Sequence, residues 1–246
     1  MLNTVHYDGP KATPLLIAHG LFGSARNWNV IAKRLSTGRP VVVVDMRNHG
    51  ASPWFDTQSY PDMAADLAQV MTEPMHVLGH SMGGKAAMVL ALHHPENLRK
   101  LIVADIAPVA YQHTQMGPLE AMLGVDMAQV NSRADAGAQM VGLEAGVDTF
   151  LLQSLDIKAK KWKLNLEVLG AEMAKIVGFP QVSGSFDGDT LFLSGAASDY
   201  VKQEYRARIK ELFPKARFAK IPGAGHWLHA QKPREFEAAV TAFLAQ

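Results

Sequence analysis

Met75-His76-Val77-Leu78-Gly79-His80-Ser81-Met82-Gly83-Gly84-Lys85-Ala86-Ala87 is the stretch from which the rest of the chain is read. A short apolar run predicts a buried strand, and the Ala-Ala-Met-Val-Leu-Ala-Leu run after Lys85 predicts a helix. Between them stands Gly-x-Ser-x-Gly, the setting that a nucleophile elbow requires. A serine on so sharp a turn takes strained backbone angles, and side chains at the flanking positions would strike the neighbouring strand and helix. Gly79 and Gly83 remove those side chains. Ser81 would then sit just ahead of a helix whose free N–H groups and positive dipole end favour an oxyanion.

Gly79 to Lys85 also satisfies Gly-x4-Gly-Lys, the opening of a phosphate-binding loop, and Val41-Val42-Val43-Val44-Asp45 could pass for its metal-holding strand. The next position is Ala86, where that loop needs a hydroxyl for magnesium, so the nucleotide reading is set aside. The chain has 246 residues, 48% hydrophobic and 19% charged, which suits one domain with a full core and an insertion. A net charge of +1 without a charged tail points away from nucleic acid and anionic membranes, toward small neutral substrates. Cysteine is absent, which excludes disulfides, a thiolate nucleophile and thiolate-held metal. The first residues lack a basic start and an apolar core, and no apolar run is long enough to span a bilayer. The expected location is cytoplasmic, and monomer or homodimer is left open.

Continuous apolar runs recur at Leu15 to Ala18, Val41 to Asp45, His76 to Leu78, Leu101 to Asp105, Leu191 to Ser194 and Phe218 to Ile221. Such runs suit parallel strands covered on both faces. Helix-like stretches near 25–36, 62–71, 84–94, 201–213 and 233–245 alternate with them, giving an α/β sheet with helices on both sides. The alternation stops between Tyr111 and Gly184, where there are amphipathic patches and no good strand. The expected organisation is a core of 1–110 and 185–246, with 111–184 as a helical lid over the strands' C-terminal ends.

Ligands of open α/β sheets bind outside the carboxyl ends of the strands, and these ends carry chemically useful residues. His19-Gly20-Leu21-Phe22-Gly23-Ser24 follows the first run, and Leu21 and Met82 are the expected oxyanion N–H donors. Asp45-Met46-Arg47-Asn48-His49-Gly50-Ala51-Ser52 reads as a structural turn, with His49 satisfied locally. Serine needs a base with a pKa near neutrality, and ten histidines compete. His226 stands out in a late Gly-rich loop after the last strand, with His229 as its near rival, while His93 and His94 close a helix. Two acids remain open on spacing alone. Asp105 ends one strand, and Asp199 follows the next in Ser194-Gly195-Ala196-Ala197-Ser198-Asp199-Tyr200.

Through His19-Gly20, Asp45-x-Arg47-x-His49-Gly50-x-Ser52, Gly79-His80-Ser81-Met82-Gly83-Gly84 and Gly225-His226, the chain resembles the α/β-hydrolase family over essentially its whole length. More narrowly it resembles small bacterial carboxylesterases related to mitochondrial abhydrolase-domain esterases, through His19 to Ser24, Asp105-Ile106-Ala107-Pro108 and Ala224 to Ala230. The resemblance implies the α/β-hydrolase fold, a Ser-His-Asp triad and hydrolysis of short- to medium-chain acyl esters or thioesters without a cofactor or metal. In the subgroup the Asp-Ile-Ala-Pro motif carries the acid, which favours Asp105. The wider family more often places it after the next strand, which keeps Asp199 as the alternative. Phe22, Trp28 and Trp227, with Met122, Phe150 and Leu151 of the insertion, are candidate pocket residues. Lys158 to Lys163 reads as a solvated basic surface, or as attraction for an acidic thioester or a membrane. A cofactor-free lyase or perhydrolase on the same scaffold, and a ligand-binding protein without activity, are the competing functions.

Overall fold

The computed structural model describes all 246 residues, Met1–Gln246. Its strands are β1 (Thr4–Tyr7), β2 (Leu15–Ala18), β3 (Val41–Val44), β4 (Met75–His80), β5 (Leu98–Ala104), β6 (Leu155–Asp156), β7 (Lys161–Trp162), β8 (Asp189–Gly195) and β9 (Ala216–Ile221). Seven form one sheet in the order β1-β3-β2-β4-β5-β8-β9, and β6 pairs with β7 alone. Only β1 runs antiparallel in the main sheet, as an edge strand against β3. The register aligns Ala18 with Gly79, Gly79 with Val103 and Ala104 with Leu193, so four carboxyl ends open side by side.

β2 and β3 are apolar and buried at every position because both faces are covered. Leu16, Ala18, Val42, Val44, Val77, Leu101 and Val103 enter one core, and Leu15, Ile17, Val41, Val43, Leu78, Ile102 and Ala104 the other, as a period of two requires. Helices α1 (Asn29–Leu35), α2 (Tyr60–Val70) and α3 (Met82–His93) follow β2, β3 and β4 respectively. Ser59 caps α2 by accepting from the Asp62 N–H, and Pro61 falls in its first turn, where a missing N–H costs nothing. The first core takes Met63, Leu67, Met88 and Val89, and the second takes Ile31 and Leu35.

Between β5 and β8 lie α4 (Met116–Leu123), α5 (Arg133–Gln139), α6 (Val147–Leu151), α7 (Leu166–Ala171) and α8 (Met173–Val177). After β8 come α9 (Arg206–Leu212), α10 (Leu228–Gln231) and α11 (Pro233–Leu244). The insertion shares the first core through Leu119, Met122, Leu151, Trp162, Leu169 and Met173. The Asp45–Ser52 turn ties it down: Gly50 N–H donates to the Lys163 carbonyl at 2.8 Å, and Asn165 N–H to the Asn48 carbonyl at 3.0 Å. No helix is long and apolar enough to cross a membrane.

A strand, a short ladder and one residue depart from the sequence expectation. β1 escapes the apolar-run criterion because Val5 and His6 are exposed on an edge. The β6–β7 ladder is two residues per strand, too short to show a periodicity. Met122, expected in the pocket, is 1% exposed inside the insertion, where its carbonyl accepts from Trp162 Nε1 at 2.9 Å.

The junction of β4 and α3 leaves no room for added side chains. A Cβ on Gly79 would stand 2.2 Å from the Gly83 carbonyl oxygen, and one on Gly83 would stand 2.4 Å from the Ala18 oxygen. Both obstacles are backbone of central elements. Gly83→Ala is therefore expected to lower stability by about 3 kcal/mol through overpacking, read as a fall in the urea midpoint. Gly117→Ala, with nothing within 4 Å of the added carbon, is the control and should leave the midpoint level or slightly higher.

Candidate active site

Ser81 joins β4 to α3 at φ 53°, ψ −120°, a conformation that a non-glycine residue adopts only when its surroundings enforce it. The Gly79 and Gly83 contacts supply that enforcement, and the Ser81 N–H donates to the Ala104 carbonyl at 3.1 Å. Ser81 Oγ lies 3.0 Å from His226 Nε2, and His226 Nδ1 lies 2.8 Å from Asp105 Oδ2. A carboxylate only accepts, so Nδ1 carries the imidazole proton and the Nε2 lone pair faces the serine hydroxyl.

Asp105 is wholly buried and also has a positive φ, 52°, immediately after β5. Its Oδ1 accepts the Gly195 N–H at 3.0 Å, and its Oδ2 accepts the Ser198 hydroxyl at 2.5 Å as well as His226. Asp199 borders the same cavity but has no hydrogen bond to His226. The structure thus joins Ser81, His226 and Asp105 and leaves the alternative acid outside the relay. From the loop after β8 it is Ser198, one residue earlier, that reaches the carboxylate.

The N–H groups of Leu21 and Met82 have no hydrogen-bond partner within the protein. The first belongs to a turn pressed against the serine: a Cβ on Gly20 would lie 3.2 Å from the Ser81 Cβ. Two imidazoles brace that turn. His19 Nε2 accepts the Met46 N–H at 2.9 Å while Nδ1 donates to the Gly20 carbonyl at 2.7 Å. His49 Nε2 accepts the Phe22 N–H at 3.2 Å while Nδ1 donates to the Arg47 carbonyl at 2.7 Å. Asp45 completes the frame, accepting the N–H groups of Ala25 and Ala51 at 2.7 and 2.9 Å.

His226 is held from two further sides. The ring of Tyr200 stacks on it, centroids 4.0 Å apart and planes within 20°, and His80 Nε2 donates to its carbonyl at 2.9 Å. Burial lifts the Tyr200 phenol to about 12, so its hydroxyl stays protonated beside His113 Nε2, 2.9 Å away. Sequence reasoning gave Ser198, Tyr200 and His80 no role. The first two flank Asp199 in the Ser194–Tyr200 loop, and the third precedes the serine. All three act by proximity, which spacing does not reveal.

A cavity of about 820 Å³ opens onto Ser81 and His226 and is walled in part by Leu21, Met82, Ile106, Tyr111, Phe150 and Leu151. Trp227 borders it with Phe150, their rings 5.8 Å apart. Phe22 and Trp28 reach its edge but are 3% and 1% exposed. Trp28 is also stacked at 4.2 Å on His229. His229 itself has no hydrogen bond to Ser81, and no group of three or more His, Cys, Asp or Glu residues is placed to hold a metal. In the run Lys158 to Lys163 the four lysines are exposed and Trp162 is buried, and Lys163 pairs with Asp156 at 3.6 Å.

The model of the alpha/beta hydrolase family matches residues 15–239. The chain is 41% identical to the sn-1-specific diacylglycerol lipase ABHD11 of Mus musculus, over 97% of this chain and 83% of that one. It is 37% identical to the esterase YbfF of Escherichia coli K12, over 94% and 93%. A solved marine microorganism esterase superposes with a TM-score of 0.93 at 36% identity, each chain covered to 98%.

Burial lowers the pKa of His49 and of His229 to about 3, so both rings are neutral in the native protein near pH 7. When unfolded they titrate near 6.5, so between pH 6.5 and 3 the unfolded chain takes up protons that the native state refuses. Stability must fall as pH falls through that window. The expected loss on going from pH 7 to pH 5 is about 2 kcal/mol for each ring, measured as a drop in the urea midpoint. An unchanged or higher midpoint at pH 5 contradicts it.

Proposed function

The chain belongs to the alpha/beta hydrolase family, and from that premise we propose that it is a serine hydrolase cleaving short- to medium-chain carboxylic esters through an acyl-enzyme. The observation that carries this reading is the relay from Ser81 Oγ through His226 to Asp105, at 3.0 and 2.8 Å. The names of the esterase and lipase relatives agree with it in reaction type. Acyl thioesters fall under the same chemistry.

In the proposed reaction Ser81 Oγ bonds to the ester carbonyl carbon as its proton passes to His226 Nε2. The N–H groups of Leu21 and Met82 receive the resulting oxyanion, and Asp105 holds the imidazolium in place through Nδ1. His226 then gives the proton to the departing alcohol, leaving Ser81 acylated. A water loses a proton to the same nitrogen as it attacks the acyl carbon, the acid departs, and the proton returns to Ser81. Every proton moves through one imidazole nitrogen. The fixed Nδ1–H···Oδ2 bond and the Tyr200 stack keep that nitrogen aimed at the serine.

Initial rates on p-nitrophenyl esters from acetate to laurate test the reading. Wild type is expected to hydrolyse the shorter esters, and Ser81→Ala to lose on the order of 10⁶-fold in turnover. Equal rates in the two proteins would remove Ser81 from the mechanism. In the same assay Asp105→Asn should lose about 10⁴-fold, because the imidazole tautomer is no longer fixed. Asp199→Asn should stay near wild type, and the reverse pattern would exchange their roles.

A further inference from the structure

Lys85, the residue that completed the Gly-x4-Gly-Lys match, is 1% exposed. It stands four residues after Ser81 on α3, hence one turn along the same face. Its Nζ donates to the Val177 carbonyl at 2.9 Å and the Gly178 carbonyl at 2.6 Å, at the C-terminal end of α8. The ammonium also lies over the Tyr111 ring at 4.7 Å and the Tyr60 ring at 5.8 Å. Tyr60 Oη donates to the Ile176 carbonyl at 2.5 Å, and the Tyr111 N–H to the Val177 carbonyl at 3.0 Å. Three successive carbonyls of the insertion are therefore held by α2, α3 and the segment after β5.

A buried lysine is a poor filler of space, since desolvating an ammonium costs more than packing an apolar side chain of the same length. Burial accordingly pushes its pKa down to about 7. What lysine adds is direction. The last carbonyls of a helix form its negative end, and a cation aimed at them fixes that end in space. Tyr60, Lys85, Tyr111, Ile176 and Val177 all border the cavity onto which Ser81 opens. The clasped group is thus one wall of the space beside the proposed nucleophile.

We propose that Lys85 is a specificity-determining residue: by clasping the end of α8 to the nucleophile helix it fixes that wall and limits the length of acyl chain the cavity accepts. The proposal rests on Ser81 being an ester-cleaving nucleophile. Lys85→Met keeps an unbranched side chain one atom shorter and removes both hydrogen bonds, and Tyr60→Phe removes only the bond to Ile176. A wall freed to yield relaxes discrimination between chain lengths, which in enclosed pockets amounts to factors of ten or more per misfitted methylene.

The test is kcat/KM for p-nitrophenyl acetate and laurate in wild type, Lys85→Met and Tyr60→Phe, normalised to titrated active sites, with Ser81→Ala normalised to protein concentration. The laurate-to-acetate ratio is expected to rise about tenfold in Lys85→Met, and in the same direction by a smaller factor in Tyr60→Phe. A purely structural role lowers both esters by one factor, so an unchanged or falling ratio overturns the proposal. If Lys85→Met does not fold, the ratio in Tyr60→Phe decides alone. If wild type cleaves no ester, or Ser81→Ala matches it, the esterase reading fails and takes this proposal with it. If esterase activity depends on Ser81 but the ratio stays put, only the present proposal fails.

Discussion

The contact between the turn at Ser81 and the backbone around it is what the site depends on. Gly83 packs with no room for a side chain against the carbonyl of Ala18, at the end of β2, and Gly79 packs in the same way against Gly83. This holds the β4–α3 junction at positive φ and brings the β2 turn against Ser81. One close approach therefore sets the serine and places the Leu21 N–H beside it. The strain at Ser81 is stored locally and balanced by two buried cores on either face of the sheet.

Asp105 is the second fixed point. Its carboxylate lies in a fully buried position that would be unfavourable for an unpartnered charge, and three donors meet it: Gly195 N–H, the Ser198 hydroxyl and His226. Two of these donors come from β8 and the loop that follows it, and the third from the loop after β9. The neighbouring strands are in register, so their ends can converge on one carboxylate. The histidine loop, which has little regular structure of its own, is positioned by that carboxylate, by the Tyr200 ring and by the His80 bond to its carbonyl.

Much of this was legible along the chain because it depends on local chemistry. Close packing demands glycine at 79 and 83, apolar runs demand a doubly covered parallel sheet, and the density of donors and acceptors from Asp45 to Ser52 demands a pinned turn. The turn also anchors the insertion through Lys163 and Asn165. Other features were illegible for physical reasons. Val5 and His6 of β1 are exposed, so that strand has no hydrophobic signature and exists by pairing with β3. Trp28 and Met122 are apolar residues whose type suits a pocket wall and a core equally, and only packing sends both inward. Lys85 in sequence suggested phosphate, whereas in the folded chain it faces two carbonyls.

The sequence by itself determined the sheet's class, the sharp turn at Ser81 and a short set of candidate site residues, since strand and helix periodicity and the need for small residues are properties of neighbours in the chain. It left Asp105 and Asp199 equivalent on spacing, because both follow strands that end at the same rim. Tertiary structure separated them: the positive φ after β5 and the Ser198 hydroxyl fill the place beside His226 with Asp105, and it is Asp105 that bonds the imidazole. The positions of His226 and Lys85 were decided in the same way, by contacts across more than ninety residues of chain. Such contacts follow from the register of strands and the docking of the insertion, which no local pattern encodes.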